Sequence, residues 1–148
     1  MIGIALCEGD NIITKMRGKF VYIKFDTGDD LFEQLGKACK DYSIKSGFVV
    51  LGIGALKNFE IGYFDGKRYL KQKYKEPHEL VAMHGSIADA NQVFHLHAAL
   101  GGKDHRIIGG HLFGATVDPL VEMLILKADT RFTRKKNSET GLNELFFR

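Results

Sequence analysis

Apolar and polar positions alternate along this chain with two different periods. "GKFVYIKF" (18–25) is β-branched and aromatic and reads as a strand, followed by the turn "DTGDD". From there the spacing is helical. Leu31, Leu35, Ala38, Cys39 and Tyr42 fall on one face, and Asp30 with Glu33 three residues on has the form of a capping box. An amphipathic helix over 30–43 is predicted. Strand periodicity then returns, with strands expected over 48–56 and 58–64. Asp65-Gly66 signals a two-residue hairpin turn into "KRYLKQKYK", where Lys67, Tyr69, Lys71, Lys73 and Lys75 share a face. Further strands are predicted over 79–88, 92–100, 106–117 and 119–127, with "DAN" (89–91) and "GGKDH" (101–105) as turns. The last strand is apolar nearly throughout and reads as central. The tail is polar until Leu145, Phe146 and Phe147, which are expected to dock on the body or on a neighbouring subunit. The sum is an α+β fold of one domain: a large, mostly antiparallel sheet with one main amphipathic helix packed on it.

Composition narrows the class. A chain of 148 residues that is 45% hydrophobic can bury its own core as one domain. Seventeen glycines against two prolines suit strands joined by tight turns. No apolar run reaches the roughly 18 residues of a membrane span. Glu8 and Asp10 spoil the opening segment as a signal peptide. Cys7 and Cys39 fit no CxxC pattern, and Cys39 falls on the apolar side of the helix as a small hydrophobe. A reducing, cytoplasmic setting is expected. The net charge of +3 permits nucleic-acid contact but argues little for it.

The chemistry concentrates in "HLHAALGGKDHRIIGGHL" (95–112). His95 and His97 are two apart in a strand and project together, while Leu96, Ala98 and Leu100 face the core. Two in-phase registers bring the third histidine to the same face, with His111 opposite either His95 or His97. A slip of one residue would bury the wrong set. Gly109 and Ala99 leave room beside the cluster, and His105 falls in the loop. Three histidines with a vacant fourth position describe a catalytic-type zinc site. The plainer reading is hydrogen-bonded core or interface histidines without metal. Glu122 interrupts "PLVEMLILK", where a lone carboxylate is costly to bury. It is a candidate catalytic acid/base, a fourth ligand, or an outer-shell partner of an imidazole. An ion pair with a lysine or arginine, within the chain or across a subunit contact, explains it as well. "GIGA" (52–55) lacks the third glycine and the following helix of a dinucleotide fingerprint.

Taken in order, "DDLFEQLGKACKDYSIKSGFVVLGIGALKNFEIGYFDG", "HGSIA", "FHLHAAL", "GGHLFGATV" and "VEMLI" resemble the plant and prokaryote conserved (PPC) domain family in its stand-alone prokaryotic form. The resemblance covers about residues 19–147, so residues 17–148 are taken as the PPC domain and 1–16 as an N-terminal extension. It implies an α/β sandwich, a homotrimer, and zinc at the positions of His95, His97 and His111. The fold it implies is similar to that of acetolactate decarboxylase. Two departures limit the transfer. The additional region a decarboxylase uses is absent, and so is the AT-hook that carries DNA binding in the plant relatives.

Three functions compete. One is a metal-dependent enzyme or binder acting on an unidentified small molecule, with Glu122 as acid/base. Lys103 and Arg106 are loop cations whose ordinary role is solvent exposure. The second is a DNA-binding or regulatory module, supported by Lys67, Lys71, Lys73, Lys75, Arg131, Arg134, Lys135 and Lys136 but lacking a groove-reading element. The third is a trimeric interaction module in which the metal is structural.

Overall fold

The computed structural model describes residues 13–88 and 93–148. The expected turn at 89–91 falls outside them, as do Cys7, Glu8 and Asp10. Nine strands and one helix follow in order among the described residues: β1 (Ile13–Arg17), β2 (Phe20–Asp26), α1 (Leu31–Asp41), β3 (Gly47–Phe64), β4 (Tyr69–Tyr74), β5 (His78–Ala88), β6 (Val93–Gly101), β7 (Ile107–Lys127), β8 (Phe132–Lys136) and β9 (Asn143–Phe147). The fold class is as expected, a mostly antiparallel sheet with one helix. The main sheet runs β1-β2-β7-β6-β5-β3-β4, and β7 also pairs with β3. The ladders β3–β5–β6–β7 therefore return to β3. β1, from the segment set apart as an extension, pairs with β2.

The helix begins where its capping residues place it. The Asp30 carboxylate accepts the Glu33 backbone N–H at 2.9 Å. Glu33 and Lys37 form an ion pair one turn apart. Leu31, Leu35, Ala38 and Cys39 are buried, and α1 lies against β7 and β2. Burial pushes the Cys39 thiol up to about 12, so it is an inert packing group.

Two predicted breaks do not occur. The strands expected at 48–56 and 58–64 are one 18-residue strand, β3. Asn58 takes a left-handed φ of 48° at the join, where the β3–β7 register shifts between Lys57 and Glu60. A bulge, not a turn, absorbs the irregular residue. Likewise 107–127 is one 21-residue strand, β7, that runs through Pro119. The β3 ladder steps from Val117 to Val121 and passes over the proline, which has no N–H to donate. The turn at Asp65-Gly66 is longer than expected. Phe64 pairs with Tyr69, leaving four residues between them. The Asp65 carboxylate accepts N–H bonds from Lys67 and Arg68, and those bonds hold it below the usual carboxylate range.

Alternation in β2 and β7 sorts their residues to two faces. Val21, Ile23, Phe25, Val121, Met123 and Ile125 are buried beneath α1. The other face carries Tyr22, Leu51, Ile53 and Leu124 around Glu122, and it is largely exposed. The tail closes on itself: β9 pairs with β8, not with the main sheet. Phe132 is buried, its N–H donated to Ser46 Oγ at 2.8 Å. Phe146 and Phe147 stay exposed.

Candidate functional site

Two adjacent strands and one register build the histidine cluster. Leu96, Ala98 and Leu100 are buried in β6, so His95 and His97 stand on its outer side. A five-residue loop joins Gly101 to Ile107, and His97 lies opposite His111. This is one of the two in-phase registers the sequence allows. One nitrogen from each of the three imidazoles lies within 4.8 Å of the other two. The Nε2 atoms of His95 and His97 are 3.1 Å apart. Ring centroids are 4.9 Å apart for His95 and His111, and 5.5 Å for His97 and His111. Ala99 faces Gly109 in the next pair, which keeps that side of the cluster bare. His105 is in the loop, with a left-handed φ of 63°.

Glycines let the strands close on the site. A Cβ on Gly85 would lie 2.0 Å from the His95 carbonyl oxygen, so only glycine permits β5 to approach there. Gly110, at φ 154°, would put a Cβ 2.6 Å from the Gly62 oxygen of β3.

Burial and nearby cations disfavour protonation of two of the imidazoles. Burial, then the neighbouring histidines, Lys71 and Arg134, push His111 down to about 4. Burial, then the charge of Arg134 and His97, lowers His95. A neutral imidazole keeps a lone pair free to bind a cation. The Tyr69 hydroxyl stands 3.5 Å from His111 Nδ1, and the Phe113 ring packs 4.4 Å from the His111 ring.

The structure does not bring Glu122 to this cluster within the chain. It lies eleven residues past His111 on β7, roughly 35 Å of extended strand. It is exposed, between Lys24 of β2 and Ile53 of β3. Lys103 and Arg106 are exposed in the β6–β7 loop, and Arg106 lies near Asp104.

Other residues reach the site without having been singled out for it. His84 of β5 lies directly opposite His97, and Ser86 opposite His95. Arg134 of β8 donates to Ser86 Oγ at 2.6 Å and to the Asn143 carbonyl at 3.0 Å. Burial lowers its pKa. Between this face and the β8–β9 hairpin is a cavity of about 570 Å³, bordered by His95, His111, Tyr69 and Arg134. The even spacing of His84 and Ser86 was a usable signal for those two. Nothing in the tail's pattern pointed Arg134 inward.

Comparison with known proteins bears on the same chain. The family described as "Plants and Prokaryotes Conserved (PCC) domain" matches residues 13–129. A metal-containing protein from Archaeoglobus fulgidus has a similar structure, with TM-score 0.80, 30% identity, and coverage of 90% of this chain and 98% of that one. A plant- and prokaryote-conserved protein from Pyrococcus horikoshii gives 0.75, 26%, 94% and 97%. A Bacteroides thetaiotaomicron protein called a "putative dna binding protein" gives 0.85, 27%, 92% and 97%. Among curated sequences, the bifunctional protein GlmU of Synechococcus sp. (strain JA-3-3Ab) is 29% identical over 121 residues. That match covers 80% of this chain but only 19% of the relative's length.

Proposed function

The chain belongs to the Plants and Prokaryotes Conserved domain family, and from that membership we propose that it is a metal-binding member whose ion, zinc first, sits beside a small-molecule pocket. The observation that carries this is the convergence of His95, His97 and His111 nitrogens within 4.8 Å. The donor set fits. It is all imidazole, which suits zinc and related transition ions and does not suit calcium or magnesium. A bound ion would supply Lewis acidity toward a carbonyl or hydroxyl oxygen. The chain's own residues do the rest. The Tyr69 hydroxyl beside Nδ1 orients the His111 ring, and Phe113 and Tyr69 shield one side of it from water. The metal-containing relative from Archaeoglobus supports the reading.

The same reading includes a homotrimer and the sandwich layering. The exposed outer face of β2, β7 and β3 is apolar, with Tyr22 48%, Leu51 43% and Ile53 38% exposed, as a self-association surface would be. Glu122 lies within that face, so it serves as acid/base at the cluster only from a neighbouring copy. No helix among the described residues is long and apolar enough to cross a membrane, in keeping with a cytoplasmic protein.

Metal content of untagged protein, purified without chelator, tests this beside His97→Ala. About one divalent ion per chain, lost in the variant, is expected of a three-histidine site. No metal in either sample after zinc is added back would overturn it. In the same comparison, a large loss of melting temperature in the variant assigns the metal a structural role, and a small one a catalytic role.

DNA binding is the second reading, favoured by the name of the Bacteroides relative. The basic residues support it less than their number suggests. Lys71 reaches Glu60 and lies 3.7 Å from the Phe113 ring centroid, while Arg134 is held by Ser86 and Asn143. Attraction to phosphate alone would vanish between about 50 and 200 mM salt.

A further inference from the structure

We infer that the cavity under the β8–β9 hairpin binds a small monocarboxylic acid with an aliphatic tail, its carboxylate on Arg134 and its tail along Val93, Phe94, Leu142 and Leu145. The inference rests on the small-molecule reading given above and names its ligand class.

Three observations converge on it. The first is a fixed cation. The Arg134 guanidinium has five N–H donors, and the Ser86 hydroxyl and the Asn143 carbonyl hold the fork in place. Among the described residues no carboxylate pairs with it, and its Nε is buried without a hydrogen-bond partner. A half-buried guanidinium positioned by neutral groups is short of one anion. Glu144 borders the same cavity, but its carboxylate accepts from Asn137 Nδ2 at 2.7 Å.

The second is the wall. Away from Arg134, His95 and His111, the apolar part of the lining comes from Val93, Phe94, Leu142 and Leu145. A fully polar anion would leave that surface uncovered. The third is size. About 570 Å³ exceeds what a single inorganic ion fills and falls within the range of small-ligand pockets. One guanidinium matches one carboxylate in charge and in planar geometry.

Calorimetry on the full chain with hexanoate and hexanamide tests this, with zinc per chain counted in the same samples. Hexanoate is expected to bind at least tenfold more tightly than hexanamide, and Arg134→Gln to erase that difference. Across acetate, butyrate and hexanoate, affinity should rise by about fourfold per methylene. Because Arg134 also anchors the hairpin, and a bound ion would itself favour a carboxylate, the acid–amide comparison and the chain-length series on unaltered, zinc-free protein decide the matter without the variant. Equal affinity for acid and amide, or a flat chain-length series, overturns the inference. Full zinc with no preference for the acid removes this inference and leaves the metal site standing. A preference for the acid that depends on Arg134, in protein that takes up no zinc, keeps the pocket and removes the metal reading.

Discussion

Gly85→Ala should damage both the fold and the metal site through a single methyl group. Gly85 lies opposite Leu96 in the β5–β6 ladder, next to the Ser86–His95 pair. The added Cβ would sit 2.0 Å from the His95 carbonyl oxygen and 2.7 Å from Leu96 Cδ2, where ordinary contact begins at 3.4 Å. The oxygen belongs to the backbone and cannot rotate away, so the strands must part by about 1 Å. Overpacking of this kind costs about 1–3 kcal/mol. The reduced entropy of the unfolded chain offsets about 0.4–1 kcal/mol of it. A net loss of about 1–2 kcal/mol corresponds to a fall in Tm of roughly 2–8 °C for a chain of this size. His95 rides on the displaced backbone, and metal–ligand distances tolerate only about 0.2 Å. Zinc affinity should therefore fall more than tenfold. Gly114→Ala is the control, since its Cβ would meet nothing within 4 Å and its φ is not left-handed. Thermal unfolding of metal-free protein and zinc titration against a competing chelator measure the two effects. If Gly85→Ala melts with the control and binds zinc like the parent, the close approach of β5 to β6 is not what holds His95 in place.

The metal-free protein should lose stability on acidification. His111 is pushed down to about 4 from 6.5, so between those values the unfolded chain holds a proton there that the folded chain refuses. Stability is retained above about pH 6.5 and drains away as pH falls toward about 4. Urea midpoints across that window should drop less in His111→Asn, and parallel curves for the two proteins would contradict the assignment. Ser46→Ala should loosen the tail hairpin, because it leaves the Phe132 N–H, now bonded at 2.8 Å in a buried setting, without its acceptor. The expected cost is about 1–3 kcal/mol, read as a lower denaturation midpoint and faster proteolysis within 132–147; an unchanged midpoint would show that the hairpin is held by Phe132 packing alone.

The parts that were legible in the sequence are those set by local period. α1 was marked by its capping pair and apolar face, and the histidine hairpin by alternation, because a slip of one residue would have buried His111. The misreadings fall where tertiary pairing overrides local punctuation. Asn58 and Pro119 look like strand ends, but the pairing of β3 with β7 resumes beyond each of them. The Asp65-Gly66 turn is longer than its dipeptide signals because Asp65 caps with its side chain and does not take a positive φ.

Arg134 and Glu122 show why the site was harder to read than the fold. Glu122 stands out in sequence because its neighbours are apolar, yet alternation places it on an exposed face. Arg134 sits among other cations in a polar tail and looks solvated, yet the β8–β9 hairpin folds it back onto Ser86 beside His95. Sequence context reports the contrast between a residue and its chain neighbours. Chemistry depends on neighbours in space, and here Arg134 and Ser86 are 48 residues apart. The histidines were legible because their partners lie across one short loop. The cation beside them was not, because no local rule links β8 to β5.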